Sequence, residues 1–228
     1  SNIGYSDYFQ YQQENKFWQL MKNKILKYSK LKMSKCLDIG CASGEFLQLM
    51  TKDGVLGYGV ELSSHAAKLA KKKNLTIYNK KFEDVSFKDC FELITLFDVL
   101  EHVESPIQFM KKVNSLLNPN GLVVITTPNL KKFYLNGKQW VGFTSSHEHL
   151  YFFTPDTIKR LLGNTGYTLL KVETYDDTYY PSFITHFINK LPTVYYVRGI
   201  ARSFFIPLNG LLKQLNFGQT LIIYAIKQ

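Results

Sequence analysis

The sequence lacks several features that mark other classes of protein. No stretch approaches the roughly 18 uninterrupted apolar residues that indicate a membrane-spanning helix. The cysteines, Cys36, Cys41 and Cys90, are an odd number without CxxC spacing, so neither a disulfide framework nor a zinc knuckle is indicated. The first residues carry no basic region followed by an apolar run, and we expect no signal peptide. Together these absences favour a cytoplasmic protein.

Low-complexity tracts and internal repeats are also absent from the 228 residues. The composition, 45% hydrophobic and 20% charged, is typical of a globular protein. The chain is long enough for one α/β domain with a full core and short for two. We therefore expect a single domain over residues 1–228.

The net charge of +10 makes nucleic acid or an anionic membrane a candidate partner. Part of that charge, residues 71–73, ends a predicted helix, where cations complement the helix macrodipole. An excess of basic residues does not by itself identify a partner, and we expect no specific nucleic-acid partner.

The pattern of apolar residues predicts alternating helices and strands. Helical spacing indicates an N-terminal helix over about residues 7–31. Later helices carry cap signals at their starts, such as Ser105-Pro106 and Thr154-Pro155. Strands are predicted at 35–39, 57–61, 75–78, 91–97, 122–127, 168–175 and 220–227. This alternation predicts an α/β fold with a seven-stranded, mostly parallel sheet and helices on both faces, its core spanning about 35–175 and 220–227.

A segment of about residues 178–219 separates the last two predicted strands and contains no acidic residue. Two apolar stripes at helical spacing predict a helical insertion of two short amphipathic helices. The insertion is interpreted either as a lid or dimer surface packed on the sheet, or as an interfacial element that contacts a lipid-like or membrane-borne acceptor. A homodimer and a peripheral membrane contact both stay open.

The loop after the first predicted strand is the expected ligand site, because ligands of such sheets bind at the carboxyl ends of the strands near the topological switch point. Its small residues allow close approach of a ligand to the backbone. Glu61 ends the second strand, where a carboxylate can accept hydrogen bonds from a ribose diol. The dinucleotide-binding fingerprint GxGxxG would need glycine at positions 42 and 45, where this sequence has Ala42 and Glu45. NAD is therefore disfavoured as a ligand.

Five segments carry a family resemblance in the expected order: LDIGCASGEFL (37–47), VEL (60–62), KFEDVSF (81–87), FDVLEHV (97–103) and LLNPNGLVVITTPN (116–129). They resemble the motifs of class I S-adenosylmethionine (SAM) dependent methyltransferases. The subgroup most similar is that of small-molecule enzymes related to the ubiquinone-biosynthesis O-methyltransferases. The resemblance implies a Rossmann-like fold, SAM as the cofactor and S-adenosylhomocysteine as the product.

The resemblance also implies roles for particular residues. Gly40 and Ala42 would pass under the methionine part of SAM, Glu61 would hold the ribose hydroxyls, and Asp38 would fix the loop from behind. The adenine would lie between residues 82 and 83, and the backbone of residue 97 would meet the methionine amine. The complete set of expected cofactor-binding residues is Asp38, Gly40, Cys41, Ala42, Glu61, Leu62, Phe82, Glu83 and Phe97.

Two histidines are the candidate catalytic residues, His102 and His149. Each has a structural alternative: His102 could be a hydrogen-bonding residue at a helix start, and His149 could serve packing. The structural interpretation is favoured for His147. In some ubiquinone O-methyltransferases a run similar to Asp98–His102 is associated with a divalent metal, but the shorter Asp98 departs from it, and we predict no metal.

The predicted function is methyl transfer from SAM to an oxygen, or less readily a nitrogen, of a small or lipid-linked metabolite by in-line displacement. A nucleic-acid methyltransferase is one alternative, although the Asn/Asp-Pro-Pro-aromatic motif that holds a base amine is absent after the fourth strand. A non-catalytic SAM-binding module is the other.

Overall fold

Seven strands form one sheet in the computed structural model, which describes residues 15–140, 148–175 and 217–228. The strands are β1 (Lys35–Ile39), β2 (Leu56–Val60), β3 (Thr76–Tyr78), β4 (Phe91–Phe97), β5 (Leu117–Pro128), β6 (Tyr167–Tyr175) and β7 (Thr220–Lys227). Their order across the sheet is β3-β2-β1-β4-β5-β7-β6. β7 is antiparallel to both neighbours, while the pairs from β3 to β5 are parallel. The predicted Rossmann-like, mostly parallel sheet is confirmed.

Helices cover both faces of this sheet. They are α1 (Asn15–Tyr28), α2 (Glu45–Thr51), α3 (Ser64–Lys71), α4 (Pro106–Leu116), α5 (Leu130–Asn136) and α6 (Pro155–Gly163). One core cluster joins α4 and α6 to the sheet, and the other joins α1, α2 and α3 to the opposite face. Since neighbouring residues of a strand point to opposite faces, Ile94 lies in the first cluster and Leu93 in the second. Among the helices of the described ranges, none combines the length and apolarity needed to span a bilayer.

The predicted cap signals correspond to real helix starts. The side chain of Ser63 accepts a hydrogen bond from the Ala66 N–H at the start of α3. Thr154 and Thr157 form a capping box at the start of α6, and Pro155 occupies the first helical position. The strands at 35–39, 91–97 and 220–227 have the predicted bounds.

β2, β3 and β6 differ from their predicted bounds by one residue, so that Glu61 directly follows β2, and three other elements differ more. β5 begins at Leu117 rather than at residue 122, because Leu117 pairs with Phe91; the Asn118–Gly121 segment, in which Asn120 has a φ of 61°, is an irregularity before Leu122 pairs with Leu93. α5 was not predicted; its cap is the side chain of Asn129, which accepts from the Lys131 N–H. α1 ends at Tyr28, and residues 7–14 of its predicted range lie outside the described residues. Most of the predicted insertion, 178–216, lies outside them as well.

Candidate active site

The loop between β1 and α2 turns tightly at the carboxyl edge of the sheet. Three of its residues, Gly40, Ala42 and Gly44, have positive φ angles of 75°, 47° and 80°. A Cβ on Gly40 would lie 2.5 Å from Cγ2 of Val99, so a larger residue would push the loop away from the turn after β4. The sequence predicted Gly40 and Ala42 in this loop, and the contact with Val99 was not expected.

Glu61 closes the other side of this loop. One oxygen of its carboxylate accepts the Ala42 N–H at 2.9 Å, and the other accepts the Ser63 N–H at 2.6 Å. Both bonds are charge-assisted, and they hold the carboxylate in one orientation. A carboxylate offers about four lone-pair sites, so each oxygen retains capacity for one hydroxyl of a ribose diol.

Asp38, in β1, is hydrogen-bonded to the neighbouring strand β4. The hydroxyl of Thr95 donates to its carboxylate at 2.6 Å, and the side chain is buried. Burial raises the pKa of Asp38 to about 7, because desolvation disfavours the charged form and the charges of Glu61 and Glu45 add to that effect. The neighbouring Cys41 thiol is also buried, which raises its pKa. The role that the resemblance implied for Asp38, fixing the loop from behind, stays a prediction.

The segment after β3, where the adenine side is expected, packs beside Glu61. The amide of Asn79 donates to the carbonyl oxygens of Glu61 and Leu62 at 2.7 and 3.0 Å. The side chain of Leu62 is 64% exposed, so it offers apolar surface next to the carboxylate. Glu83 is exposed too, whereas the Phe82 ring is buried against Phe109, with ring centroids 4.9 Å apart. The role of Phe82 beside the adenine stays a prediction.

An aromatic cluster lies where the methionine end was expected. The Phe97 ring, buried at the end of β4, packs against Trp18 of α1 and Phe46 of α2, both at centroid distances of 5.1 Å. The sequence predicted Phe97 for this end of the pocket but not Trp18. Helical spacing shows that α1 is amphipathic, but it does not show which strand end the helix covers.

A short turn after β4 carries the candidate acceptor-side residues. Asp98, with a φ of 54°, accepts from the Thr126 hydroxyl at 2.9 Å, and a 3₁₀ turn follows at Leu100–His102. The Glu101 side chain is buried, and its backbone carbonyl accepts the N–H groups of Leu150 and Tyr151. Burial, reinforced by the charge of Asp98, raises the pKa of Glu101 well above its ordinary range.

The two predicted catalytic histidines lie next to each other. The ring centroids of His102 and His149 are 4.8 Å apart, and Nδ1 of His102 is 3.0 Å from the Glu148 carbonyl oxygen. Because a carbonyl oxygen only accepts, Nδ1 carries the hydrogen, and in the neutral form of the ring Nε2 has the lone pair. His147 lies outside the described residues.

Glu101, His102 and His149 together form a group with metal-binding chemistry. One potential ligand atom from each lies within 4.8 Å of the others. Carboxylate oxygen and imidazole nitrogen suit divalent ions such as zinc. The sequence predicted no metal here, and that expectation stays a prediction.

Comparisons with known proteins identify the family. The methyltransferase domain family matches residues 9–172. A ubiquinone biosynthesis O-methyltransferase from Bradyrhizobium diazoefficiens is 34% identical over 142 residues, which cover 56% of this chain and 56% of that protein. This chain thus spans little more than half the length of that relative.

Solved structures give the same fold. An S-adenosylmethionine-dependent methyltransferase from Mesorhizobium loti has a TM-score of 0.61 at 16% identity, covering 90% of this chain and 96% of that one. The magnesium protoporphyrin IX methyltransferase from Synechocystis, solved with bound SAM, has a TM-score of 0.58 at 13% identity, covering 93% and 79%. Because the family match extends over residues 9–172, well over half of the sequence, this chain belongs to the methyltransferase domain family, and its fold is Rossmann-like.

Proposed function

We propose that this chain transfers a methyl group from SAM to an oxygen of a small or lipid-linked acceptor. The observation that carries the proposal is the contact of Gly40 with Val99, where a Cβ on the glycine would come within 2.5 Å. His102 lies one short turn beyond Val99, and its N–H donates to the Val99 carbonyl at 3.0 Å. The loop for the donor and the two histidines therefore share one edge of the sheet, as a transfer between two bound molecules requires.

The donor side is assigned to Glu61 and the loop before it. When bound, SAM supplies an electrophilic methyl group on a positively charged sulfur. Glu61 is held by two backbone N–H groups and still has lone pairs for a diol. The exposed Leu62 and Glu83 would contact the base, and Phe97 would border the methionine end.

The acceptor side is assigned to His102 and His149. The lone pair on Nε2 of His102 can receive the proton that an acceptor hydroxyl loses, since Nδ1 is engaged with the Glu148 carbonyl at 3.0 Å. The His149 ring lies against His102 and restricts the space in which an acceptor hydroxyl can approach. Oxygen is preferred over nitrogen because the matched relative is named as an O-methyltransferase.

Positioning contributes more to such a reaction than the base does. Alignment of two reactants supplies roughly 7–11 kcal/mol, whereas general base catalysis adds about 10²- to 10⁴-fold, or some 3–5 kcal/mol. Loss of His102 should therefore slow the reaction without abolishing it.

Titration calorimetry of the purified chain with SAM and S-adenosylhomocysteine tests the donor site, and labelled SAM with fractionated small-molecule and lipid extracts tests the acceptor. Binding followed by label transfer to an oxygen of a small molecule supports the proposal. Binding without transfer to any fraction would favour a non-catalytic SAM-binding module.

The net charge of +10 keeps a nucleic-acid methyltransferase as a second candidate. That function predicts binding to RNA or DNA that weakens steeply as salt rises, because phosphate contacts release counterions. Label transfer to nucleic acid rather than to small molecules would establish it. The cytoplasm is the proposed location under either function.

A further inference from the structure

Lys112 of α4 holds the turn that follows β3. Its ammonium group donates to the carbonyl oxygens of Phe82, Glu83 and Val85 at 2.8, 2.7 and 2.9 Å. A lysine has three donors, so all of them are directed at one short turn. The side chain reaches this turn from a helix 30 residues further along the sequence.

Further contacts strengthen this attachment. The ammonium lies 4.8 Å from the centroid of the Phe82 ring, a cation–π distance. The carboxylates of Glu83 and Asp84 also attract it. Phe82 packs on Phe109, which belongs to α4 like Lys112, so one helix fixes both the ring and the backbone of the turn.

The orientation of Glu83 follows from these bonds. When the carbonyls of residues 82, 83 and 85 all point at one ammonium, the peptide planes between them are fixed, and so is the direction in which the exposed Glu83 leaves the turn. The neighbouring Asn79 holds Glu61 and Leu62 in the same way, by bonds to their carbonyls. The side chains of Lys112 and Asn79 thus fix the backbone conformation on the proposed adenine side of the pocket.

We propose that Lys112 is a positioning residue for recognition of the donor's adenine. This inference rests on the proposed donor site and adds a residue that touches no substrate. Lys112 acts through the turn at Phe82–Asp84: its three bonds hold that backbone in one conformation, which lowers the entropy lost when a donor binds there.

Lys112→Met tests the inference, because methionine keeps an unbranched stem but removes all three donors. We expect the dissociation constant for S-adenosylhomocysteine to rise about tenfold, the scale of one lost charge-assisted hydrogen bond. The KM for SAM should rise with it, whereas kcat at saturating SAM should stay close to the wild-type value. The matched control is Lys111→Met, an exposed lysine one residue earlier on the same helix, which should leave both constants unchanged.

A base-specific measurement separates positioning from plain stability. The wild-type protein should prefer S-adenosylhomocysteine to S-inosylhomocysteine, and Lys112→Met should reduce that preference. A variant with a lower melting temperature but an unchanged dissociation constant and base preference would overturn the inference. If the methionine variant does not fold, Lys112→Gln decides: its amide offers two donors and no charge to three carbonyls, so wild-type affinity in that variant would contradict the role.

The two proposals fail in different ways. A wild-type chain that binds no SAM would remove the donor site and this inference together. A wild-type chain that binds SAM, beside a Lys112→Met variant that binds it equally well, would remove only the role of Lys112.

Discussion

The carboxylate of Glu61 accepts the backbone N–H of Ala42 at 2.9 Å and thereby joins the end of β2 to the loop after β1. This hydrogen bond lies at the predicted donor pocket. The sequence indicated both residues separately, from the position of each at a strand end. Their direct contact means that a change at one side of the pocket alters the other.

Glu61→Ala should weaken SAM binding by about 10- to 100-fold, because the diol loses its acceptor and two backbone N–H groups lose theirs. Titration calorimetry measures the change. The control is Glu104→Ala, an exposed glutamate beyond the acceptor-side turn, which should bind SAM normally. Unchanged affinity in Glu61→Ala would remove the assignment of this site.

His102→Asn should lower kcat by roughly 10²- to 10⁴-fold while leaving SAM affinity unchanged, because the asparagine amide can keep the bond to the Glu148 carbonyl but cannot accept a proton. Initial rates with saturating SAM and acceptor measure it. The exposed His65, changed in the same way, should retain full activity. A wild-type rate in His102→Asn would assign His102 to structure alone.

Much of the fold could be predicted because β1, β4 and β7 are buried by helices on both faces. Such strands appear in the sequence as nearly continuous apolar runs with sharp ends. α5 was missed because its seven residues, LKKFYLN, are too few for a clear helical period. The extension of β5 was missed because Asn118–Gly121 reads as a turn that ends the preceding helix, whereas Leu117, on the far side of that segment, pairs with Phe91.

The site divides in the same way. The positions of Asp38, Gly40 and Glu61 at the ends of β1 and β2 could be predicted from the strand pattern, while their roles toward a donor stay predictions. The contacts of Trp18 with Phe97 and of Lys112 with the 82–85 turn could not, because they depend on which helix crosses which strand end. Local patterns report burial and turns, whereas such crossings are set by packing of the whole sheet.

Asp38→Asn should change how stability depends on pH. The folded-state pKa of Asp38, about 7, lies above the ordinary value of 3.8, so the folded protein binds more protons between these values. This group's contribution to the free energy of unfolding therefore falls as pH rises from about 4 to about 7, by on the order of 4 kcal/mol. Denaturant unfolding of both proteins across that range measures it.

The comparison between the two proteins is the control, because Asp98 and Glu101 also have raised pKa values and remain in both. The asparagine oxygen can still accept from Thr95, so the variant should gain stability over the wild type as pH increases. Parallel stability curves for the two proteins would show that Asp38 does not titrate in this window.

Chelation of divalent ions should leave methyl transfer unaffected. The candidate ligand atoms of Glu101, His102 and His149 lie within 4.8 Å of one another, but Asp98 stands where the metal-associated run that this segment resembles has a longer acid. We therefore expect no ion to be needed there. Activity lost to a chelator and restored by one cation, but not restored in His149→Ala, would make this a metal centre.

Replacing residues 178–216 by a short turn should spare SAM binding and abolish transfer to the acceptor. The cut stops before residues 217–219, because Asn129 donates through its side chain to the Gly218 carbonyl at 2.8 Å and through its backbone N–H to the Gln219 carbonyl at 2.9 Å. These bonds hold the start of β7 against the end of β5, so removing them would disturb the sheet itself. Calorimetry with SAM checks the donor site of the deletion, and label transfer checks its activity. Full turnover by a deletion variant that also binds SAM would show that residues 178–216 take no part in holding the acceptor.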